Sequence, residues 1–269
     1  MSTQKLSDFK ALLFDVDRTL TDSKREISPE TIDALKILDA KGYQIGVCSG
    51  RGVATLKSKI LPLFPKNSIH IAGGGSQLVD NTGKAIWESN IDEETIKNLK
   101  EFLKENNFKS VFMKTDAQYT EGEIFENLSN DSWNFSVKKT SEMTNDGVGS
   151  IFIPFPNNKI IEYIEKNEKL SFKSMLNNDG KPYIDVTAKN VSKATALKKW
   201  SEISKIELKN VIGFGDSLND LEFLESCGFS VAMGNSVDEL KNIADRIIGD
   251  TNENSLSKYL LKIISGENL

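Results

Sequence analysis

Histidine is nearly missing from this chain: His70 is the only one in 269 residues. A metal site built on several histidines is therefore excluded, and a His-based catalytic triad would rest on this single side chain. It sits in SIHIAGG at the end of a short apolar run, where a structural role is expected. Cysteine is as scarce. Cys48 and Cys227 are the only two and show no C-x-x-C spacing, so neither a disulfide framework nor a cysteine zinc site is expected, and a reducing cytoplasm suits the chain best. No stretch of about 18 consecutive apolar residues occurs, and the start, MSTQKLSDFKALLFDVD, soon reaches Asp15 and Asp17, so neither a membrane span nor a secretory leader is expected. Long runs of Lys and Arg are also lacking. With 34 basic against 39 acidic residues the net charge is −5, which argues against a nucleic-acid surface. An anionic substrate would have to be drawn in by local groups.

The remainder is ordinary globular composition, 38% hydrophobic and 27% charged. The length suits one large domain, or a core with a smaller second domain. Strand candidates alternate with helices at the start: ALLF, then a helix in SPETIDALKILDAKG with Ser28 as N-cap, Pro29 in its first turn, Ile32, Leu35 and Leu38 on one face and Gly42 at its end. YQIGVC, a helix over about Val53 to Leu61 and IHIA follow, an order expected of a parallel sheet. SQLVDNTGKAIWES reads as a hairpin turning at Asn81, Thr82 and Gly83. From about Asn90 to Asp185 the pattern changes. A helix capped by Asp92 with Ile96, Leu99 and Leu103 inward, strands at VFMK and SIFIPF, a helix at KIIEYIEKNEKL and strands near FKSML and YIDV make an inserted α+β unit. Alternation then returns: a helix from Lys193 to about Ser204, NVIGFG, SLNDLEFLESC, SVAM, a helix in SVDELKNIAD with Ser236 and Glu239 at capping-box spacing, RIIG and a last helix around SLSKYLLKII. The expected organisation is a core of residues 1–89 and 186–269, split by an insertion of residues 90–185.

Asp15 and Asp17 directly follow the apolar strand ALLF, and the carboxyl ends of parallel strands line the ligand crevice of an open α/β sheet. Carboxylates this close need a cation, a shared proton or a raised pKa. A polar turn after a strand would account for the pair equally well. NVIGFGD, however, is a second apolar strand ending in an acid, Asp216, and SLND adds Asn219 and Asp220 in the next helical turn. An oxygen-only cluster suits a hard cation such as Mg²⁺. Between these clusters QIGVC ends in Ser49, Gly50 and Arg51, a hydroxyl and a free backbone N–H where a loop enters a helix, which suits phosphate. Lys193 opens another helix, although by itself it could be one more solvated lysine.

The segments FDVDRTL, CSGR, Lys193 and GDSLND stand in the order and rough spacing of the four motifs of the haloacid dehalogenase superfamily. The chain resembles that superfamily's Cof-type phosphatases over nearly its whole length, VAMGNS and the following AD dipeptide included. The resemblance implies an α/β fold with a Rossmann-like parallel-sheet core and an inserted α+β cap of the C2 type. It further implies Asp15 as nucleophile and Asp17 as general acid and base, with Ser49, Gly50, Lys193 and Asn219 on the phosphoryl group. Mg²⁺ would be held by Asp15, Asp216 and the Asp17 backbone carbonyl, with Asp220 in support. The implied activity is Mg²⁺-dependent hydrolysis of small phosphorylated metabolites, sugar phosphates foremost, through an aspartyl-phosphate. The implied partner is the small metabolite alone, with no nucleic acid or membrane, and the chain is expected as a monomer or weak homodimer.

Three departures from the pattern stand out: Arg18 where glycine usually follows the second aspartate, Gly74 where Asn is common, and TNENS without an acidic-Gly pair. Local alternation along an extended segment would turn Arg18 away from Asp17. Neither GFGD nor Gly73 to Gly75 makes a dinucleotide fingerprint. Trp87, Trp133 and Trp200, with Phe112, Phe152 and Phe155, are expected in the core. Two other functions fit the same motifs: a phosphomutase of the phosphomannomutase type, although GDSLND lacks the longer Gly-rich metal loop, and a catalytically silent binding module on this fold.

Overall fold

The computed structural model describes residues 4–177 and 180–269. In chain order its strands and α-helices are β1 Ala11–Phe14, α1 Pro29–Ala40, β2 Gln44–Val47, α2 Val53–Lys59, β3 Ile69–Ala72, β4 Gln77–Asp80, β5 Ala85–Glu88, α3 Glu93–Glu105, β6 Val111–Met113, β7 Gln118–Thr120, α4 Gly122–Ser129, β8 Val137–Lys139, β9 Ser150–Pro154, α5 Asn158–Glu165, β10 Leu170–Leu176, β11 Pro182–Ala188, α6 Lys193–Ser204, β12 Val211–Gly215, α7 Leu221–Glu225, β13 Phe229–Ala232, α8 Asp238–Ile243, β14 Arg246–Ile247 and α9 Ser255–Ile264.

Five strands form an all-parallel sheet in the order β14-β13-β12-β1-β2. Every residue of β1 and β12 is buried, as their continuous apolar sequences require of strands covered on both faces. Phe14 and Phe214 pair in register and their rings stack at 4.7 Å. The strand order reverses about β1, whose neighbours come from opposite ends of the chain. The crevice above the carboxyl ends of β1 and β12 is therefore where an α/β sheet binds its ligand, and there stand Asp15 and Asp216.

The expected third parallel strand, IHIA, goes elsewhere. β3 pairs antiparallel with β4, and β4 with β5, in a separate three-stranded sheet that meets the parallel one at a single bridge, Cys48 to Ile71. The pairing of β4 with β5 is the hairpin expected from Asn81-Thr82-Gly83. Asp80 Oδ1 accepts from the Thr82 and Lys84 N–H groups, and Gly83 takes φ +81°.

A six-stranded sheet, β10-β11-β9-β6-β7-β8, is built from residues within 111–188, and a separate apolar cluster from Ile91 to Val186 packs against it. The Asp92 side chain caps α3, and Ile96, Leu99 and Leu103 face inward as the spacing predicts. β7, α4 and β8, over residues 118–139, lie outside the elements expected, although Ile124 and Leu128 of α4 stand four apart on one helical face.

Three local expectations are corrected. In α1 the buried stripe is Thr31, Ala34, Leu35 and Leu38, while Ile32 stays half-buried at its margin. Ser236 does not cap α8; its hydroxyl donates to the Gly215 carbonyl instead, and Val237 takes the cap position. Phe155 is not in the core but 57% exposed, in a left-handed turn after β9. Among the described residues no helix is long and apolar enough to cross a membrane.

Candidate active site

Beyond β1 the chain leaves the extended conformation. Val16 to Leu20 form a tight turn closed by the Thr21 N–H on the Val16 carbonyl at 2.8 Å, in which Asp17 is still extended at φ −74° and ψ 124° and Arg18 is left-handed at φ +60° and ψ +12°. The alternation argument for Arg18 fails here, because Arg18 itself takes a left-handed and not an extended conformation. Arg18 borders the cavity that holds Asp15 and Asp17, and its carbonyl accepts from Asn235 Nδ2 at 3.0 Å. A left-handed residue at this place explains in physical terms why glycine is at home there.

Asp15 comes off the buried end of β1, its N–H donating to Phe214 O at 2.8 Å. Lys193 Nζ bridges Asp15 Oδ1 at 2.5 Å and Asp220 Oδ1 at 2.6 Å, with all three side chains under a tenth exposed. Ser192 caps α6 by accepting from the Thr195 N–H, which fixes the helix start that carries Lys193. Asp15 Oδ2 accepts no hydrogen bond among the described residues. Burial pushes Asp15 up to about 7, against the opposing pull of Lys193. Burial also raises Asp216, and the neighbouring Asp15 and Asp220 add to it. For Lys193 burial works the other way, but Asp15 and Asp220 outweigh it and hold the ammonium charged.

Asp15, Asp216 and Asp220 bring carboxylate oxygens within 4.8 Å of one another, all buried. Their partners separate their roles. Asp220 Oδ2 accepts from the Asp216 and Ser217 N–H groups at 3.1 Å each, and its Oδ1 is taken by Lys193. Gly215 allows this approach, since a β-carbon there would lie 2.7 Å from Asp220 Cβ. Asp216 Oδ1 takes only a long bond of 3.3 Å from Thr19 Oγ1. Asp220 is therefore saturated by the protein, whereas Asp15 and Asp216 keep free lone pairs. Three buried carboxyl groups against one buried ammonium would leave negative charge in excess once all are ionised, which is why burial and mutual repulsion raise Asp15 and Asp216. An oxygen-only donor set of this kind fits a hard divalent cation.

Ser49 is buried, and its hydroxyl accepts from the Arg51 N–H at 3.1 Å. Gly50, not Ser49, lines the main cavity. Without a β-carbon Gly50 leaves open a position 3.7 Å from both Asn219 Nδ2 and Asp185 Oδ2. Asn219 Oδ1 is held by Ser217 Oγ at 2.9 Å.

The least anticipated feature surrounds Asp17. Arg51 donates from Nε to Oδ2 and from its terminal nitrogen to Oδ1, both at 2.6 Å, a two-point grip on the carboxylate. Burial would raise Asp17, but Arg51 outweighs it and holds the carboxyl below its usual range. Arg51 belongs to the CSGR segment, so its presence was readable, but its partner was not. Asp185 was missed as well: it enters the cavity from β11, and burial pushes it up to about 7.

The cavity is about 430 Å³ in volume. Its floor is the carboxylate cluster, and its far wall is largely apolar, with Ile124, Leu128, Phe152, Met175 and Tyr183 contributed by the inserted segment. Phe152, expected in the core, is thus a wall residue, its ring 5.0 Å from that of Tyr183. Trp200 is fully buried as expected.

A family model for haloacid dehalogenase-like hydrolases matches residues 12–260. The 5-amino-6-(5-phospho-D-ribitylamino)uracil phosphatase YcsE of Bacillus subtilis is 27% identical over 97% of this chain and 98% of its own length. The pyridoxal phosphate phosphatase YbhA of Escherichia coli is 25% identical over 93% of this chain and 97% of its own. Among solved structures, a haloacid dehalogenase-like hydrolase from Bacteroides thetaiotaomicron superposes with a TM-score of 0.80 at 20% identity, over 95% of this chain and 99% of that one.

Proposed function

The chain belongs to the haloacid dehalogenase-like hydrolase family as a Cof-type phosphoric monoester hydrolase, and from its site we propose Mg²⁺-dependent hydrolysis of small phosphorylated metabolites through an aspartyl-phosphate on Asp15. The observation that carries this reading is Lys193 bridging Asp15 and Asp220 inside a buried carboxylate cluster that opens on the cavity. Lys193 fixes the Asp15 rotamer by one oxygen and leaves Oδ2 to attack phosphorus. The P–O ester bond breaks as the Asp15–phosphorus bond forms, and the leaving oxygen takes its proton from Asp17. Asp17 then accepts a proton from the water that releases phosphate. To carry a proton, Asp17 must give up one of its two bonds to Arg51. Lys193 also neutralises charge on the transferring group, and Gly50 and Asn219 border the place where its oxygens would lie.

Asp15, Asp216 and the Asp17 carbonyl would hold Mg²⁺, with Asp220 ordering the loop behind them. When bound, the cation offsets the surplus charge of the cluster and of the phosphate. Residues 90–185 act as a cap that supplies the leaving-group wall. A sugar phosphate remains the class that the resemblance implies, while the apolar wall suits a leaving group with at least one apolar face.

The test is phosphate release from 4-nitrophenyl phosphate with Mg²⁺. Asp15→Asn, folded, is expected to lose at least about a thousandfold in rate, as expected when a nucleophile is removed. Mg²⁺ should also raise the melting temperature of the wild type but not of Asp216→Asn. Turnover by Asp15→Asn at the wild-type rate, or full activity after EDTA, would overturn the mechanism.

A further inference from the structure

Asp185 is an acid in the cavity wall for which the mechanism above has no use. It stands on β11, where Ile184 and Val186 enter the apolar cluster of the insertion and Tyr183, Asp185 and Thr187 alternate with them toward the core. Its mount is held on both sides, since Phe152 of β9 and Lys173 of β10 stand directly opposite it. Phe152 lines the same cavity. Lys173 is the cross-strand partner that a carboxylate would ordinarily take, but its Nζ donates to Glu222 Oε1 of α7 at 2.6 Å. Among the described residues the Asp185 carboxyl is thus left with no hydrogen bond and no ion pair.

Gly50 defines where that carboxyl lies. A β-carbon on Gly50 would be 3.7 Å from Asp185 Oδ2 and 3.7 Å from Asn219 Nδ2, so the free acid borders the place assigned to the phosphoryl oxygens. Burial raises it to about 7, and the pull of Lys193 offsets this only in part. A carboxyl withdrawn from water without a partner is costly, and a ligand that brings a donor offsets the cost. The phosphoryl group cannot bring one when ionised, because it repels an ionised carboxyl beside it. The nearest donor that a phosphoric monoester can offer is a hydroxyl on the leaving group, close to the ester oxygen.

We propose that Asp185 is a specificity-determining residue: it accepts a hydrogen bond from such a hydroxyl, so that the site prefers phosphorylated polyols to phosphate esters of plain alcohols. The proposal rests on the phosphatase reading above.

The test compares kcat/KM, with Mg²⁺, for glycerol 1-phosphate and propyl phosphate. The two esters share a three-carbon chain and differ only in their hydroxyls. The wild type is expected to favour the glycerol ester at least about tenfold, because a site that bonds a hydroxyl rejects the analogue lacking it. Asp185→Ala is expected to lower this ratio at least about fivefold. Asp185→Asn, equal in shape but uncharged, accepts a weaker bond and should lower it at least about threefold; it carries the test if the alanine variant does not fold. A wild-type ratio near one overturns the proposal, as does a ratio that neither variant changes. An equal fall for both esters in a folded variant also overturns it, and would place Asp185 on the phosphoryl group. Turnover of 4-nitrophenyl phosphate by the wild type separates the two failures. If that ester is hydrolysed while both alkyl esters resist, or while their ratio ignores Asp185, only the specificity role falls; if it is not hydrolysed, the phosphatase reading falls as well.

Discussion

His70 illustrates how a single side chain can be structural and still have a measurable signature. It is fully buried, its Nδ1 accepts the Val47 N–H at 3.2 Å, and burial pushes its pKa down to about 3. The ring is therefore neutral in the folded protein at any pH above that value, while the unfolded chain takes up a proton near 6.5. Between these values the unfolded state binds more protons, so stability is complete above about pH 6.5 and falls as the pH drops toward 3. The slope is about 1.4 kcal/mol per pH unit, or about 2 kcal/mol between pH 6.5 and 5. Urea unfolding of wild type and His70→Gln at pH 7 and pH 5 checks it. The variant should be weaker at pH 7 but lose about 2 kcal/mol less on acidification, and equal losses would refute the titration. At this scale the acids were legible because Asp15 and Asp216 end apolar strands, and strand ends face the crevice. Arg18 was not, because its orientation depends on a left-handed φ, and nothing in the residues from Asp17 to Leu20 marks where the extended conformation stops.

Whole elements were readable wherever period and punctuation agreed. Ser28 and Asp92 each cap the helix that the sequence starts there, and their side chains accept the N–H expected of a cap. α4, which brings Ile124 and Leu128 to the cavity, has the apolar spacing but no capping side chain, since it starts at Glu121-Gly122, and went unread. Ser236 had the capping-box spacing but a stronger alternative in the Gly215 carbonyl. One loop links an element to the chemistry directly. Gly75 has φ +106°, and a β-carbon there would run into the Ser192 carbonyl, immediately before Lys193. Gly75→Ala combines backbone strain of about 1–3 kcal/mol with a clash that only movement of the α6 start can relieve. A stability loss of about 2–4 kcal/mol in urea unfolding is expected, with a lower hydrolysis rate because Lys193 opens that helix. Unchanged stability would show that the α6 start shifts freely.

For the molecule as a whole, the parallel sheet supplies the charged floor of the cavity and the insertion supplies much of its wall, so changes in the two should have different kinetic effects. The return of strand-helix alternation after Lys189 is the sequence's reason to expect a split core. The contact between the two parts was not legible, since Trp133 meets Arg25 and Arg51 only in three dimensions. Substitutions of floor residues should slow every ester alike, because all share the phosphoryl group. Substitutions in the wall should change the order of preference, because they touch what differs between esters. Phe152 is the sharpest probe: its ring lies in the wall beside Tyr183, and it belongs to β9 in the middle of the six-stranded sheet, where the backbone is held on both sides. Removing a ring that covers an apolar leaving group forfeits about 1.5–3 kcal/mol of burial, roughly a tenfold to hundredfold loss in kcat/KM. A polar sugar, which gains less from that ring, should lose little. Phe152→Ala is therefore expected to shift the ratio of kcat/KM for pyridoxal phosphate over glucose 6-phosphate by at least about fivefold toward the sugar. If both values instead fall by the same factor, the wall shapes the fold of the site and not its choice of substrate.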